Sequence, residues 1–159
     1  EDRESGTFYV TQAWKESHVA PEVAWATVKP WSIGVPTSWP LDGLQTEKNG
    51  TANQQKDYYI DAGFDMLHAH ATWPDGTNGV EAGLYEIRDL MIKGRFKVDR
   101  NLRDFFNEFN QYHRNQNGKI SKTMDDLLDA IRYAYMMRRY SIPWGERSRL
   151  TSPGVISSF

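Results

Sequence analysis

Cysteine is absent from the 159 residues, which removes disulfide frameworks, thiol nucleophiles and zinc ribbons together and agrees with a reducing compartment. An excess of charge of one sign is missing too, since 19 Lys and Arg stand against 21 Asp and Glu for a formal net charge of -2. Without global attraction to nucleic acid, any DNA-binding surface has to come from local clusters of Lys and Arg. No stretch approaches the roughly 18 apolar residues of a membrane span. The acidic start Glu1-Asp2-Arg3-Glu4 is unlike a signal peptide, so a soluble, cytoplasmic protein with no membrane partner is expected. A Gly-rich phosphate loop ending in Lys and Ser or Thr is also lacking, and no ATPase of that type is expected in this chain.

What is present suits one domain: 39% of the residues are hydrophobic and 13% aromatic, with six Trp that serve core and loop packing. Residues 6–14 have the β-branched and aromatic enrichment of a strand, with Phe8, Val10 and Gln12 on one face, and read as the second arm of a hairpin. Pro21 opens a short helix in which Val23, Trp25, Ala26 and Val28 face a core and which Pro30 stops. Residues 32–43 are a short apolar run ending in a Pro- and Gly-rich loop, the way a strand delivers an acid, Asp42, to a sheet edge. A mobile polar loop over 47–53, a helix over 54–62, a strand over 64–69 and a turn at 73–76 follow. Apolar residues at Val80, Leu84, Ile87 and Met91 predict an amphipathic helix over 80–92 closed by Lys93-Gly94. After a strand over 95–98, a helix over 102–114 is predicted to bury Leu102, Phe105, Phe106, Phe109 and Tyr112. A last helix spans 124–138. The boundaries expected are a domain over 1–140 and a loosely ordered tail over 141–159, rich in Ser, Pro, Gly and Arg. Alternating strands and helices indicate an α/β layered fold.

Asp125, Asp126 and Asp129 open the last helix, and spacings of three and four put their carboxylates on nearly one face. Two readings stay open. Acids at a helix N-terminus complement its dipole and cap it. Alternatively they hold Mg²⁺ or Mn²⁺, hard cations that take one or two carboxylates plus substrate phosphate; two-metal nucleases gather such acids from several elements, and Asp42 is the natural second contributor. His68 and His70 lie on one strand face, but no third histidine motif supports zinc. Lys93, Arg95, Lys97, Arg100 and Arg103 cluster around the short strand, and Lys119 and Lys122 flank the turn before the acids. They form either ordinary solvated surface or a phosphate-tracking groove.

Residues 94–133, GRFKVDRNLRDFFNEFNQYHRNQNGKISKTMDDLLDAIRY, resemble the closing block of tailed-phage terminase large subunits, where a strand and an aromatic helix precede a Gly-Lys turn and a DD-x-x-DA-x-RY helix. The upstream VEAGLYEIRDLMIKGRF and the PTSWPLDG loop are similar to the same family, particularly in short-tailed phages. The resemblance implies an RNase H-like fold, a mixed central sheet flanked by helices. It further implies a two-metal Mg²⁺- or Mn²⁺-dependent endonuclease that cuts concatemeric double-stranded DNA during genome packaging. Asp42 matches the family's middle acid and Asp125 its late acid, with Asp126 and Asp129 ranked below. The family's first catalytic Asp lies on an opening strand ahead of Gly6, so a site with at most two of its three sides is expected here.

The partners implied are the terminase ATPase domain, the small subunit, the portal and double-stranded DNA, with a monomeric domain placed in the host cytoplasm and transiently at the procapsid portal vertex. Two alternatives remain: a docking module that engages the portal through residues 144–159, and an RNase H-like nuclease of the resolvase or transposase type.

Overall fold

Phe8–Val10 forms strand β1 and pairs in parallel with β2, Phe96–Val98, in the register Phe8 with Phe96, Tyr9 with Lys97 and Val10 with Val98. Side chains alternate across such a ribbon. Phe8 and Phe96 therefore stack on one face, with ring centroids 6.0 Å apart, while Tyr9 and Lys97 lie exposed on the other. The computed structural model describes residues 1–2, 4–46, 53–112, 118 and 125–141. Its helices are α1 (Pro21–Ser32), α2 (Gln55–Ala62), α3 (Val80–Ile92), α4 (Arg103–Gln111) and α5 (Asp126–Met136), with short 3₁₀ turns at Leu41–Leu44 and Arg138–Tyr140. Helices and a small parallel sheet give the α/β class that the sequence predicts.

The chain divides into two units, Glu1–His18 with Ala71–Arg138, and a second built on Val19–His70. In the first, the aromatic face of the sheet meets α5 through Phe8 and Tyr135, centroids 5.6 Å apart, and α4 through Phe96 and Phe105, 6.3 Å apart. Tyr135 also meets Trp73 edge-on at 6.2 Å and donates its hydroxyl to Glu86 of α3 at 3.2 Å. Helix α3 has the predicted bounds. Gly94 closes it in the left-handed region at φ 66°, and the Gly94 and Arg95 amides return to the Met91 and Leu90 carbonyls.

In the second unit α1 buries Ala24 and Val28, one turn apart, while Val23 is exposed and Ala26 faces solvent, so the predicted inner face is rotated. Pro30 does not stop α1. It sits inside the helix, which runs two residues further, to Ser32. Gln54 and Asp57 form a capping box at the head of α2. Gly63 ends that helix at φ 114°, with Trp25 so close that an added Cβ would lie 2.7 Å from Nε1.

Two predicted strands shrink. The Met66 amide turns back to the Phe64 carbonyl at 3.0 Å, which bends the chain, and residues 64–69 contribute a single parallel bridge, Met66 with Thr37. Residues 6–14 contribute β1 plus an antiparallel bridge from Thr7 to Asp2, and the strand's described partner is the parallel β2 rather than a hairpin arm. On α4, Phe105 is buried but Phe106 and Phe109 are partly exposed, and the second buried position belongs to Glu108. Residues 47–52, most of 113–124 and the tail from 142 lie outside the described residues.

Candidate active site

Asp125 occupies the N-cap position of α5, where an Asp side chain ordinarily accepts the N2 or N3 amide. It makes no such cap hydrogen bond. The amides of Leu127 and Leu128 go instead to Oε2 of Glu108 on α4, at 2.8 and 3.3 Å. The other Glu108 oxygen accepts Lys15 Nζ at 2.6 Å, and Lys15 reaches Asp126 at 2.8 Å. Glu108 is 2% exposed, so this carboxylate is stripped of water and compensated by one cation and two amides. Hydrogen bonds to Asp126 first and Glu108 second hold the Lys15 ammonium well above the usual lysine range.

Asp129 takes a different partner. Its Oδ1 accepts Arg132 Nη2 at 2.9 Å and Nε at 3.2 Å, and Tyr133 donates its hydroxyl to Oδ2 at 3.5 Å. The Arg132 side chain is buried, with its guanidinium carbon 4.6 Å from the centre of the Tyr133 ring. Its methylenes run over Gly83, where an added Cβ would fall 2.7 Å from Cγ and Cδ. The Tyr112 phenol, at the end of α4, is pushed above its usual range by burial first and then by the charges of Asp129 and Asp125.

Asp42 lies in the second unit, exposed on the Leu41–Leu44 turn. Packing under that turn holds it: Trp39 is 4% exposed and donates Nε1 to the Leu67 carbonyl at 2.7 Å. A Cβ on Gly43 would stand 2.6 Å from the Trp39 ring, so glycine is what lets the turn lie on the indole. The Asp42 carboxylate receives a long contact from Gln45 Nε2 at 3.4 Å.

The capping reading of the acid cluster is thereby corrected. Capping of α5 is done by Glu108, while Asp126 and Asp129 are engaged by cations of the protein itself. Asp42 and Asp125 offer the hard oxygen donors that Mg²⁺ or Mn²⁺ takes, and by donor chemistry they fit such an ion. Among the described residues no group of three or more His, Cys, Asp or Glu is arranged to hold a metal. His68 and His70 serve in ring packing, edge-on to Tyr140 at 5.0 Å and to Trp39 at 5.9 Å.

Of the basic residues, Arg95, Lys97, Arg100 and Arg103 are exposed in the first unit, Lys97 beside Tyr9. Lys93 pairs with Asp89 at 2.6 Å. Lys119 and Lys122 lie outside the described residues. Sequence reasoning missed Lys15, Glu108 and the role of Arg132. The signal for Glu108 was a carboxylate inside the apolar stripe of α4, three residues after Phe105 and four before Tyr112.

A family model described as the terminase RNaseH-like domain matches residues 2–138. The terminase large subunit of Salmonella phage P22 is 53% identical over 140 residues, covering 88% of this chain and 28% of that protein. That of Enterobacteria phage LP7 is 53% identical over 137 residues, covering 86% and 29%. The chain thus spans less than a third of the length of these relatives. The solved structure of the P22 large terminase nuclease domain aligns with a TM-score of 0.84 and 49% identity, over 95% of this chain and 76% of that one. With the fold and nearly the whole sequence accounted for, the chain belongs to the terminase RNaseH-like domain family and has its RNase H-like fold.

Proposed function

We propose that this domain is the endonuclease of a phage terminase large subunit, hydrolysing phosphodiester bonds of concatemeric double-stranded DNA as viral genomes are packaged. The observation that carries the reading is the likeness to the P22 nuclease domain over 95% of the chain at 49% identity. Asp125 and Asp42 are assigned as carboxylate donors to Mg²⁺ or Mn²⁺, two ions by the usual logic of such nucleases. When bound, these ions lower the pKa of an attacking water and neutralise charge developing on the phosphate. Asp126 and Asp129, committed to Lys15 and Arg132, shape the head of α5 around Asp125.

DNA approaches as a polyanion, and Arg95, Lys97 and Arg100 are proposed to meet its phosphates. Lys93, Lys119 and Lys122 belong to the same proposal. Each phosphate neutralised adds to the salt dependence of binding. The wider assembly, with an ATPase motor domain, a small subunit and a portal at the procapsid vertex in the host cytoplasm, is part of this reading.

The test is cleavage of a supercoiled plasmid with Mn²⁺, Mg²⁺ or chelator, by this chain and by Asp125→Ala and Asp42→Ala. Metal-dependent nicking that falls at least about 100-fold in each variant is expected, the scale of losing a group that stabilises charge in the transition state. Cleavage undiminished by chelator, or by both substitutions, would refute the assignment.

A further inference from the structure

We infer that Glu108 is the positioning residue for Asp125, acting from α4 through the backbone amides at the head of α5; the inference rests on the nuclease reading above. A helix head is ordinarily fixed by its own N-cap side chain. Here the N-cap is Asp125 itself, and its side chain makes no cap hydrogen bond. The N2 and N3 amides, Leu127 and Leu128, are held at 2.8 and 3.3 Å by a carboxylate from another helix, 19 and 20 residues earlier in the chain.

Glu108 has no freedom in this arrangement. It is 2% exposed, one oxygen is set by the two amides and the other by Lys15 at 2.6 Å. Lys15 in turn grips Asp126, the residue next to Asp125, at 2.8 Å. The first turn of α5 is thus pinned from α4 and from the segment after β1, while Arg132 holds the next turn through Asp129 at 2.9 Å.

Stability alone does not call for such a group. A buried ion pair is often no better than apolar residues of the same volume, and the neighbouring position on the same stripe, Phe105, is apolar. What a carboxylate adds is direction: two amides and an ammonium fix the rotation of the helix head, and with it the bearing of the Asp125 side chain. Partners one shell out from a metal ligand commonly set its affinity in this way.

The experiment uses the full chain and four proteins: wild type, Glu108→Gln, Lys15→Met and, as a control for loss of one negative charge on α4, Asp104→Asn. Mn²⁺ affinity is measured by calorimetry without DNA, corrected for the folded fraction by circular dichroism, and kcat and KM are measured on plasmid. In Glu108→Gln, Mn²⁺ affinity and kcat are expected to fall roughly 10- to 100-fold with KM for DNA unchanged. Lys15→Met should fall less and in the same direction, because the amides keep a charged acceptor, and Asp104→Asn should match wild type.

A folded Glu108→Gln protein with wild-type Mn²⁺ affinity and kcat overturns the inference. Should that variant fail to fold, Lys15→Met decides, and wild-type values there overturn it equally. A wild type that does not bind Mn²⁺ overturns the metal assignment of Asp125 and this inference with it.

Discussion

Among the described residues of the unit formed by 1–18 and 71–138, two charged side chains lie in the core, Glu108 at 2% and Arg132 at 3% exposure. Around residues 19–70 the described buried residues are Ala24, Val28, Trp39 and Gly43, with no ion among them. Each unit carries candidate acids, held by different means. The acids of α5 are oriented by ion pairs and amides; Asp42 rides on a turn laid over an indole. Directional bonds specify where a charge points, whereas packing specifies where a loop sits. The two acids should therefore fail in different ways when their supports are removed.

The largest effect is expected in the unit whose described buried residues carry no charge. Trp39→Ala removes a nearly fully buried indole and the donor to the Leu67 carbonyl, and large aromatic truncations in cores cost about 3–5 kcal/mol. Trp39→Phe keeps most of the packing and should lose only about 1 kcal/mol, the net worth of one hydrogen bond. Chemical denaturation, with hydrogen exchange resolved over residues 19–70, separates the two. Equal losses in both variants would mean that the hydrogen bond, and not the packing, holds the Asp42 turn.

Arg132→Ala attacks the other device. Breaking a buried pair costs about 3–5 kcal/mol, and because Asp129 keeps 31% side-chain exposure and can rehydrate, the lower end, about 3 kcal/mol, is expected here. Asp129→Asn in the Arg132→Ala background should then cost little more, since the two side chains share one interaction. A full additive loss in the double variant would show that they act separately.

Gly83→Ala is smaller and changes sign with context. Alanine gains about 1 kcal/mol over glycine in a helix, but its Cβ would lie 2.7 Å from the Arg132 methylenes, and overpacking costs about 1–3 kcal/mol. A net loss of about 1 kcal/mol is expected in the wild type. In the Arg132→Ala background the nearest remaining atom is Trp73 Cζ2 at 3.4 Å, and the same substitution should become stabilising. Melting curves of the four proteins test this, and a loss that persists without Arg132 would place the clash elsewhere.

Local signals were legible in the sequence, and partnerships across the chain were not. Apolar spacing from Val80 to Met91 and the glycine at 94 gave α3 its observed bounds, because period and cap are written in adjacent residues. The acid-rich head of α5 was readable for the same reason, as was the resemblance that implied the fold. Lys15 and Glu108, by contrast, are 93 positions apart, and no periodicity links them. The single-bridge fate of residues 64–69 depended on a bend after Gly63 that β-propensity does not register. Glu108 shows the limit most plainly: on the sequence it interrupts an apolar stripe, and only the geometry supplies the amides and the ammonium that make a buried carboxylate tolerable there.

The smallest expected effect distinguishes the units by pH. Lys15 is held above its ordinary value of 10.5 in the folded chain, by Asp126 and then Glu108. A group whose folded pKa is raised contributes stability that is fully present below the unfolded value and is lost as pH rises through the folded one. The contribution of Lys15 to exchange protection in the first unit should therefore hold up to about pH 10.5 and decline above it. Burial raises the Tyr112 and Tyr135 phenols from their ordinary value of 10.0, and they act in the same direction, so wild type alone does not isolate the lysine. Lys15→Met does, because both phenols remain. Its alkaline decline should be shallower than that of wild type, with the difference confined to residues 1–18 and 71–138. Parallel declines in the two proteins would assign the alkaline sensitivity to the tyrosines and leave Lys15 a tether of geometry rather than of stability.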